Sequence, residues 1–382
     1  MLKDKNTRAF LSLVKAGLWE RDVELQDCGD IDFAEVFRLG EEQTVLGLVA
    51  AGLDHVKGQK PPKEEVLKVI GKMVQLEQRN SAMNKFIGEL VSRMRKVGIY
   101  TLLVKGQGVA QCYERPLWRS SGDIDFFLSD ENYAKADAYL LPLASSVEKD
   151  MGGHHGMTIL ETFGTSDQGR ADGWVVELHN SLHCGLSKRI KKVLDKMKRE
   201  SFYEGKVRSW MNGKVSVFLL SWENEILYGF CHFLNHFYKG GLGLRQICDW
   251  CRLLWTYRSE LDVKVIEARV NEMGLMSEWK AFGAFAVEYL GMPIEALPMY
   301  SDSNRWKRKA KQILDFVMMA GNFGHNRDMS YYSKYPYVIR KFFSMRMRII
   351  DLIRHSRIFP LDSLKFFPKI ISDGVSSAIK GY

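Results

Sequence analysis

Asp123 and Asp125 stand two residues apart in Gly122-Asp123-Ile124-Asp125-Phe126. On a β-strand, alternation turns both carboxylates to one face and Ile124 and Phe126 to the other. Two like charges side by side repel, and a divalent cation between them removes that cost. Carboxylates are hard oxygen ligands suited to Mg²⁺, so the pair predicts a Mg²⁺ site that handles phosphate. In Trp174-Val175-Val176-Glu177-Leu178-His179 the same alternation groups Val175, Glu177 and His179 and leaves Val176 and Leu178 opposite. A lone acid in an apolar strand needs compensation when buried. Glu177 is therefore either the third metal ligand, on a strand beside the aspartates, or an edge-strand carboxylate in solvent. His179 shares its face and is a candidate nucleotide contact.

The cationic and phosphate-gripping candidates lie nearby in sequence. Lys105-Gly106-Gln107-Gly108 follows an apolar run. Glycine lets a phosphate approach backbone N–H groups, and lysine supplies positive charge. The spacing of a P-loop is absent. Arg119, four residues before Asp123, either neutralises phosphate, pairs with an aspartate or lies on the surface. Arg245 and Asp249 stand four apart in GLGLRQICDW, either as an i,i+4 ion pair or with Arg245 on a phosphate and Asp249 orienting it. His154-His155 offers a further acid, base or phosphate contact.

These residues need strands to carry them and helices to frame them. Residues 1–95 read as helical: Asp32–Leu53, with a break at Gly40, and then a long apolar stripe from Lys63 to Val97 ending at Gly98. Ile99–Val104 and Ile124–Leu128 read as strands, Gly108–Tyr113 as a short helix between them. A helix capped by Ser129 or Asp130 runs through Leu140. His154–Leu160 and Trp174–Leu178 read as a strand pair around the loop Gly164–Gly173. From Leu186 helices are expected over Glu223–Tyr238, Leu242–Tyr257, Val263–Gly274, Trp279–Leu290 and Arg305–Gly321. The expected organisation is a helical region at 1–95, a catalytic domain at 96–185, a helical substrate- or nucleotide-binding domain at 186–325 and a basic helical extension at 326–382.

The order strand, Gly-containing turn, short helix, D-x-D strand and later acidic strand resembles the nucleotidyltransferase superfamily that includes DNA polymerase beta. It is more closely similar to the bacterial uncharacterised nucleotidyltransferase family. IYTLLVKGQG, RSSGDID (Arg119 to Asp125) and VVELHNSL carry the resemblance, which extends to the N-terminal helices, GGLGLRQICDW and MAGNFG at 319–324. It implies an α+β fold, a small mixed-sheet core with helical flanks before and after. Asp123, Asp125 and Glu177 would hold two Mg²⁺ ions, Mn²⁺ being the alternative metal. Gly106 and Gln107 would occupy the superfamily's phosphate-gripping turn, where this chain has Gln107 instead of a small residue. The implied activity is transfer of a nucleoside monophosphate from an NTP, ATP among them, to a hydroxyl of an unidentified acceptor, with release of pyrophosphate. The competing expectation, motivated by Gln107, is a non-catalytic nucleotide- or polyanion-binding protein on the same fold.

Composition sets the remaining bounds. The 382 residues are 46% hydrophobic and 26% charged, ample for a core. No apolar run approaches the roughly 18 residues of a spanning helix, the N-terminus lacks a secretory pattern, and the six cysteines are scattered. Together these predict reduced thiols and a cytoplasmic location. Residues 301–382 hold 16 Lys+Arg against 6 Asp+Glu, whereas residues 1–300 hold 39 against 40. An anionic partner is therefore expected mostly at the C-terminal segment Tyr337–Phe367, whose simpler reading is a solvated basic face with its apolar side docked. His232, His236, Cys248 and Cys251 form H-x3-H and C-x2-C, but in apolar helical settings that read as core.

Overall fold

The computed structural model describes residues 4–58, 60–149, 154–160, 173–182, 184–322 and 337–379. Helix α1 (Lys5–Trp19) starts on Asp4, whose carboxylate accepts from the Thr7 N–H. α2 (Phe33–Glu42) starts in the same way on Asp32. The chain then turns at 43–45 rather than at Gly40 and continues as α3 (Leu46–Leu53). Gly40 lies inside α2 against α3, where a Cβ would meet Leu46 and Val49 at 3.3 Å. β1 (Val23–Glu24), after α1, pairs in parallel with β2 (Val56–Lys57), after α3. α4 (Lys63–Lys96) carries Glu64 and Glu65 in its first turn and Arg93, Arg95 and Lys96 in its last, the arrangement the helix dipole favours.

A seven-stranded mixed sheet follows. It comprises β3 (Leu102–Val104), β4 (Ile124–Phe127), β5 (Ala144–Lys149), β6 (His154–Ile159), β7 (Trp174–His179), β8 (Val207–Asn212) and β9 (Val215–Leu220). Their order is β5-β6-β7-β4-β3-β9-β8. β4 runs parallel to β7 and β3 parallel to β9; the other pairs are antiparallel. The α+β class and mixed sheet expected from the sequence are both present. Three of its strands were not anticipated, nor was the short β1–β2 pair within the region expected to be helical. β5 adds one edge, and the β8–β9 hairpin adds the other by pairing with β3. The sheet thus takes in residues 207–220, well beyond position 185, where the catalytic domain was expected to end. A cue was present in Asn212-Gly213 between two alternating runs, and Gly213 has φ +60° in the turn.

Helices cover both faces. On one, Ile124, Phe126, Val176 and Leu178 pack with Met83, Phe86, Ile87 and Leu90 of α4 and with Ala136 and Leu140 of α6 (Asp130–Leu140). α5 (Gly106–Ala110) links β3 towards β4. On the other face lie α7 (Lys188–Tyr203), α8 (Trp222–Lys239) and α9 (Leu244–Thr256). Their core joins the N-terminal helices to α10 (Val263–Met273), α11 (Met276–Leu290) and α12 (Asn304–Ala320), centred on Phe230, Phe233, Trp250, Trp279 and Phe282. α13 (Tyr337–Ile358) and α14 (Pro360–Ile379) complete the described chain. They dock through Ile358, Phe359, Phe366 and Ile370, while Ile353, Leu361 and Leu364 remain exposed. All six cysteines are buried as free thiols. No described helix is long and apolar enough to cross a membrane.

Candidate metal and phosphate site

The register of the sheet builds the acidic centre. Asp125 lies opposite Val104 on β3 and opposite Glu177 on β7. Cross-strand partners share a face, so the two carboxylates stand side by side on the surface away from Phe126 and Val176. His179, two residues beyond Glu177, joins them. Its Nε2 lies 2.9 Å from Asp125 Oδ1 and 3.3 Å from Glu177 Oε2. One ligand atom from each of Asp125, Glu177 and His179 falls within 4.8 Å of the others, a set able to hold a metal ion. Asp123, one residue before β4, lines the same cavity but does not belong to this close set. Asp123, Asp125 and Glu177 thus line one space, but His179 and not Asp123 completes the close set.

Lys105 closes the cluster. It follows β3 directly and takes φ +59°, ψ −150°, a backbone conformation that costs a non-glycine residue about 1–3 kcal/mol. Its Nζ donates to Asp125 Oδ1 at 2.8 Å. Burial alone would raise the Asp125 carboxyl, but Lys105 and His179 outweigh it and hold the group well below the usual carboxylate range. Burial likewise pulls against the Lys105 ammonium, and Asp125, Tyr228 and Glu177 raise it in spite of that. Asp123 behaves oppositely: burial, then repulsion from Asp125 and Glu177, raises its carboxyl. A divalent cation would relieve that repulsion, and the hard oxygen donors match its chemistry. The residues present therefore fit a divalent ion.

Across from the acids, α8 and α9 wall a cavity of about 270 Å³. Lys105, Gly106, Asp123, Asp125 and Glu177 line it from the sheet, and Tyr228, His232, His236, Arg245 and Gln246 from the helices. Arg119 reaches this wall but is committed to the protein. Its Nε and Nη2 clamp Asp249 at 3.0 and 2.6 Å, and its Nη1 donates to Ser121 Oγ and the Ser120 carbonyl. Asp249, expected to orient Arg245, is the partner of Arg119 and also accepts from Tyr113 Oη at 2.8 Å. Arg245 instead donates to the Ser120 carbonyl at 2.9 Å, and its buried Nε has no hydrogen-bond partner. Burial, then the neighbouring Arg119, lowers it to about 10. Such a guanidinium favours an anion in the cavity.

Gln107 departs from its expected role. It is 1% exposed, its Nε2 donates to Ser121 Oγ at 3.0 Å, and it is not part of the cavity wall. The side chain pins the turn to the 119–121 loop, and Gly106 alone of the pair faces the cavity. The side chains of His154 and His155 lie outside the described residues, as do 164–172 of the expected loop and Phe323-Gly324 of the MAGNFG stretch. Cys248 and Cys251 are buried in the core, as expected. His232 and His236, read with them as core, turn to the cavity instead. Positions i and i+4 share a helix face, and the face of His232 and His236 also carries Tyr228.

An acidic cluster on paired strands, facing a cavity with an unclamped arginine, places a candidate metal-and-phosphate site on this α+β fold. The chain belongs to the uncharacterised nucleotidyltransferase family, which it matches over residues 29–291. That span contains every site residue named above. No curated protein and no solved structure matches the chain.

Proposed function

We propose that this protein transfers a nucleoside monophosphate from an NTP to a hydroxyl of an acceptor, with release of pyrophosphate and dependence on a divalent metal. The observation that carries the reading is the register of Asp125 with Glu177 across parallel strands, with Asp123 on the same wall. Asp123, Asp125 and Glu177 would hold Mg²⁺, which would stabilise the attacking and leaving oxygens at the α-phosphorus. The carboxylates of Asp125 and Glu177 would suit Mn²⁺ as well. Arg245 and Lys105, beside Gly106, would bind the triphosphate; Arg119 would act through Asp249 and the 119–121 loop, holding that wall in place. The test is Mg²⁺-dependent pyrophosphate release with each NTP across a panel of hydroxyl acceptors. Turnover that survives Asp123→Ala plus Asp125→Ala rejects the site.

A second reading is a nucleotide- or polyanion-binding protein without turnover. It is favoured by the ammonium of Lys105 and the imidazole of His179, which already satisfy Asp125 Oδ1. NTP binding by calorimetry, with no pyrophosphate release under any acceptor, would select it.

A further inference from the structure

His232 and His236 stand one turn apart on α8, and their Nε2 atoms lie 3.1 Å from each other. The rings are 4.5 Å apart between centroids and inclined at 77°. At that separation one neutral ring can donate its Nε2–H to the other Nε2, and a cation can replace that proton and bind both nitrogens. Adding a second proton, which would make either ring cationic, is disfavoured here. Burial first, then Lys105, pushes His232 well below the ordinary histidine range. Burial, Lys105, Lys239 and Arg245 bring His236 down to about 4. The neutral imidazole is the form that ligates metals.

We propose that His232 and His236 form a second metal site, separate from the Asp125–Glu177–His179 cluster. It takes a borderline divalent transition ion such as Zn²⁺, with the remaining positions left to water or to a molecule bound in the cavity. Histidines at i and i+4 on one helix face chelate zinc through both rings. With a metal–nitrogen bond of about 2.1 Å, the 3.1 Å separation subtends about 95° at the ion, close to a chelating angle. Imidazole discriminates by chemistry: it suits Zn²⁺, Co²⁺, Ni²⁺ and Cu²⁺, whereas Mg²⁺ prefers the carboxylates opposite. The cavity thus offers a nitrogen site on the helix wall and an oxygen-rich site on the sheet wall. The cysteines that follow in sequence are buried in the core and take no part.

This site requires no nucleotide, so its test stands apart from that of nucleotidyl transfer. Metal-stripped full-length protein is titrated with Zn²⁺ by calorimetry in excess Mg²⁺. Zn²⁺ is expected to bind despite the Mg²⁺, His232→Ala and His236→Ala each to weaken it by at least about tenfold, and His179→Ala to leave it unchanged. No Zn²⁺ binding in excess Mg²⁺, binding untouched by both α8 variants, or loss confined to His179→Ala would each overturn the proposal. Cu²⁺ electron paramagnetic resonance provides a reading without changing the α8 pair. In the His179→Ala protein, nitrogen splitting from two imidazoles supports the site, and splitting from one or none refutes it.

Discussion

Replacing Asp125 by Asn should damage stability before it damages chemistry. The substitution keeps the shape and removes the charge that Lys105 is paired with, across 2.8 Å. Removing one partner of a buried pair costs about 3–5 kcal/mol, because the other charge is left unpaired. Lys105 retains 22% of its side-chain exposure, against 7% for Asp125, so water repays part of that cost and about 3 kcal/mol is expected. Unfolding entropy near 2.1 cal/mol/K per residue, over 382 residues, gives roughly 0.8 kcal/mol/K. The melting temperature should therefore fall by about 4 °C. Adding Lys105→Met removes the stranded ammonium and should recover at least half of the loss, a coupling of about 1.5 kcal/mol or more. The assay is a double-mutant cycle of thermal and denaturant melts without divalent metal, repeated with Mg²⁺. Mg²⁺ should stabilise the unmodified protein and fail to stabilise Asp125→Asn. Two results refute the reasoning: an Asp125→Asn melt equal to the unmodified protein's, or a double variant whose loss equals the sum of the single ones.

Three further outcomes are expected. Arg245→Met should cost little stability, since its guanidinium holds only the Ser120 carbonyl, yet should weaken NTP binding by about tenfold or more in calorimetry. Asp249→Asn strands the buried Arg119 guanidinium, whose side chain is 7% exposed, and should lower stability by about 3–5 kcal/mol in denaturant melts. Glu278 has its carboxyl raised to about 8 by burial and then by Asp362, and it accepts from Tyr238 Oη at 2.9 Å. The folded state therefore keeps a proton that the unfolded chain releases near pH 4.5, so stability falls as pH rises from about 4.5 to 8. Glu278→Gln should flatten that slope, recovering about 3–5 kcal/mol at pH 8.

What local patterning can determine was legible here. The α4 stripe, the Ser129 cap on α6, and the presence of α8 to α12 follow from periodicity and capping, which depend on neighbours in sequence. The facing of Asp125, Glu177 and His179 follows from strand alternation, which is equally local. The β8–β9 hairpin was harder: its alternation is short, and its partner β3 lies about 100 residues earlier in the chain, so only tertiary pairing fixes where it belongs. The cations and histidines of the site were decided in the same way. Arg119 and Arg245 are equivalent as sequence. The fold gives Asp249 to Arg119 because the loop before β4 reaches α9, and Arg245 is thereby left open to the cavity. His232 and His236 read as core because their neighbours Phe230, Phe233 and Phe237 are core. Which side of α8 meets apolar helices and which meets the acidic wall depends on how the helix docks over the sheet. The sequence by itself determined the acids and the strands that carry them; the tertiary structure alone decided which charges neutralise one another and which face the open cavity, because burial and ion pairing are set by residues far apart in the chain.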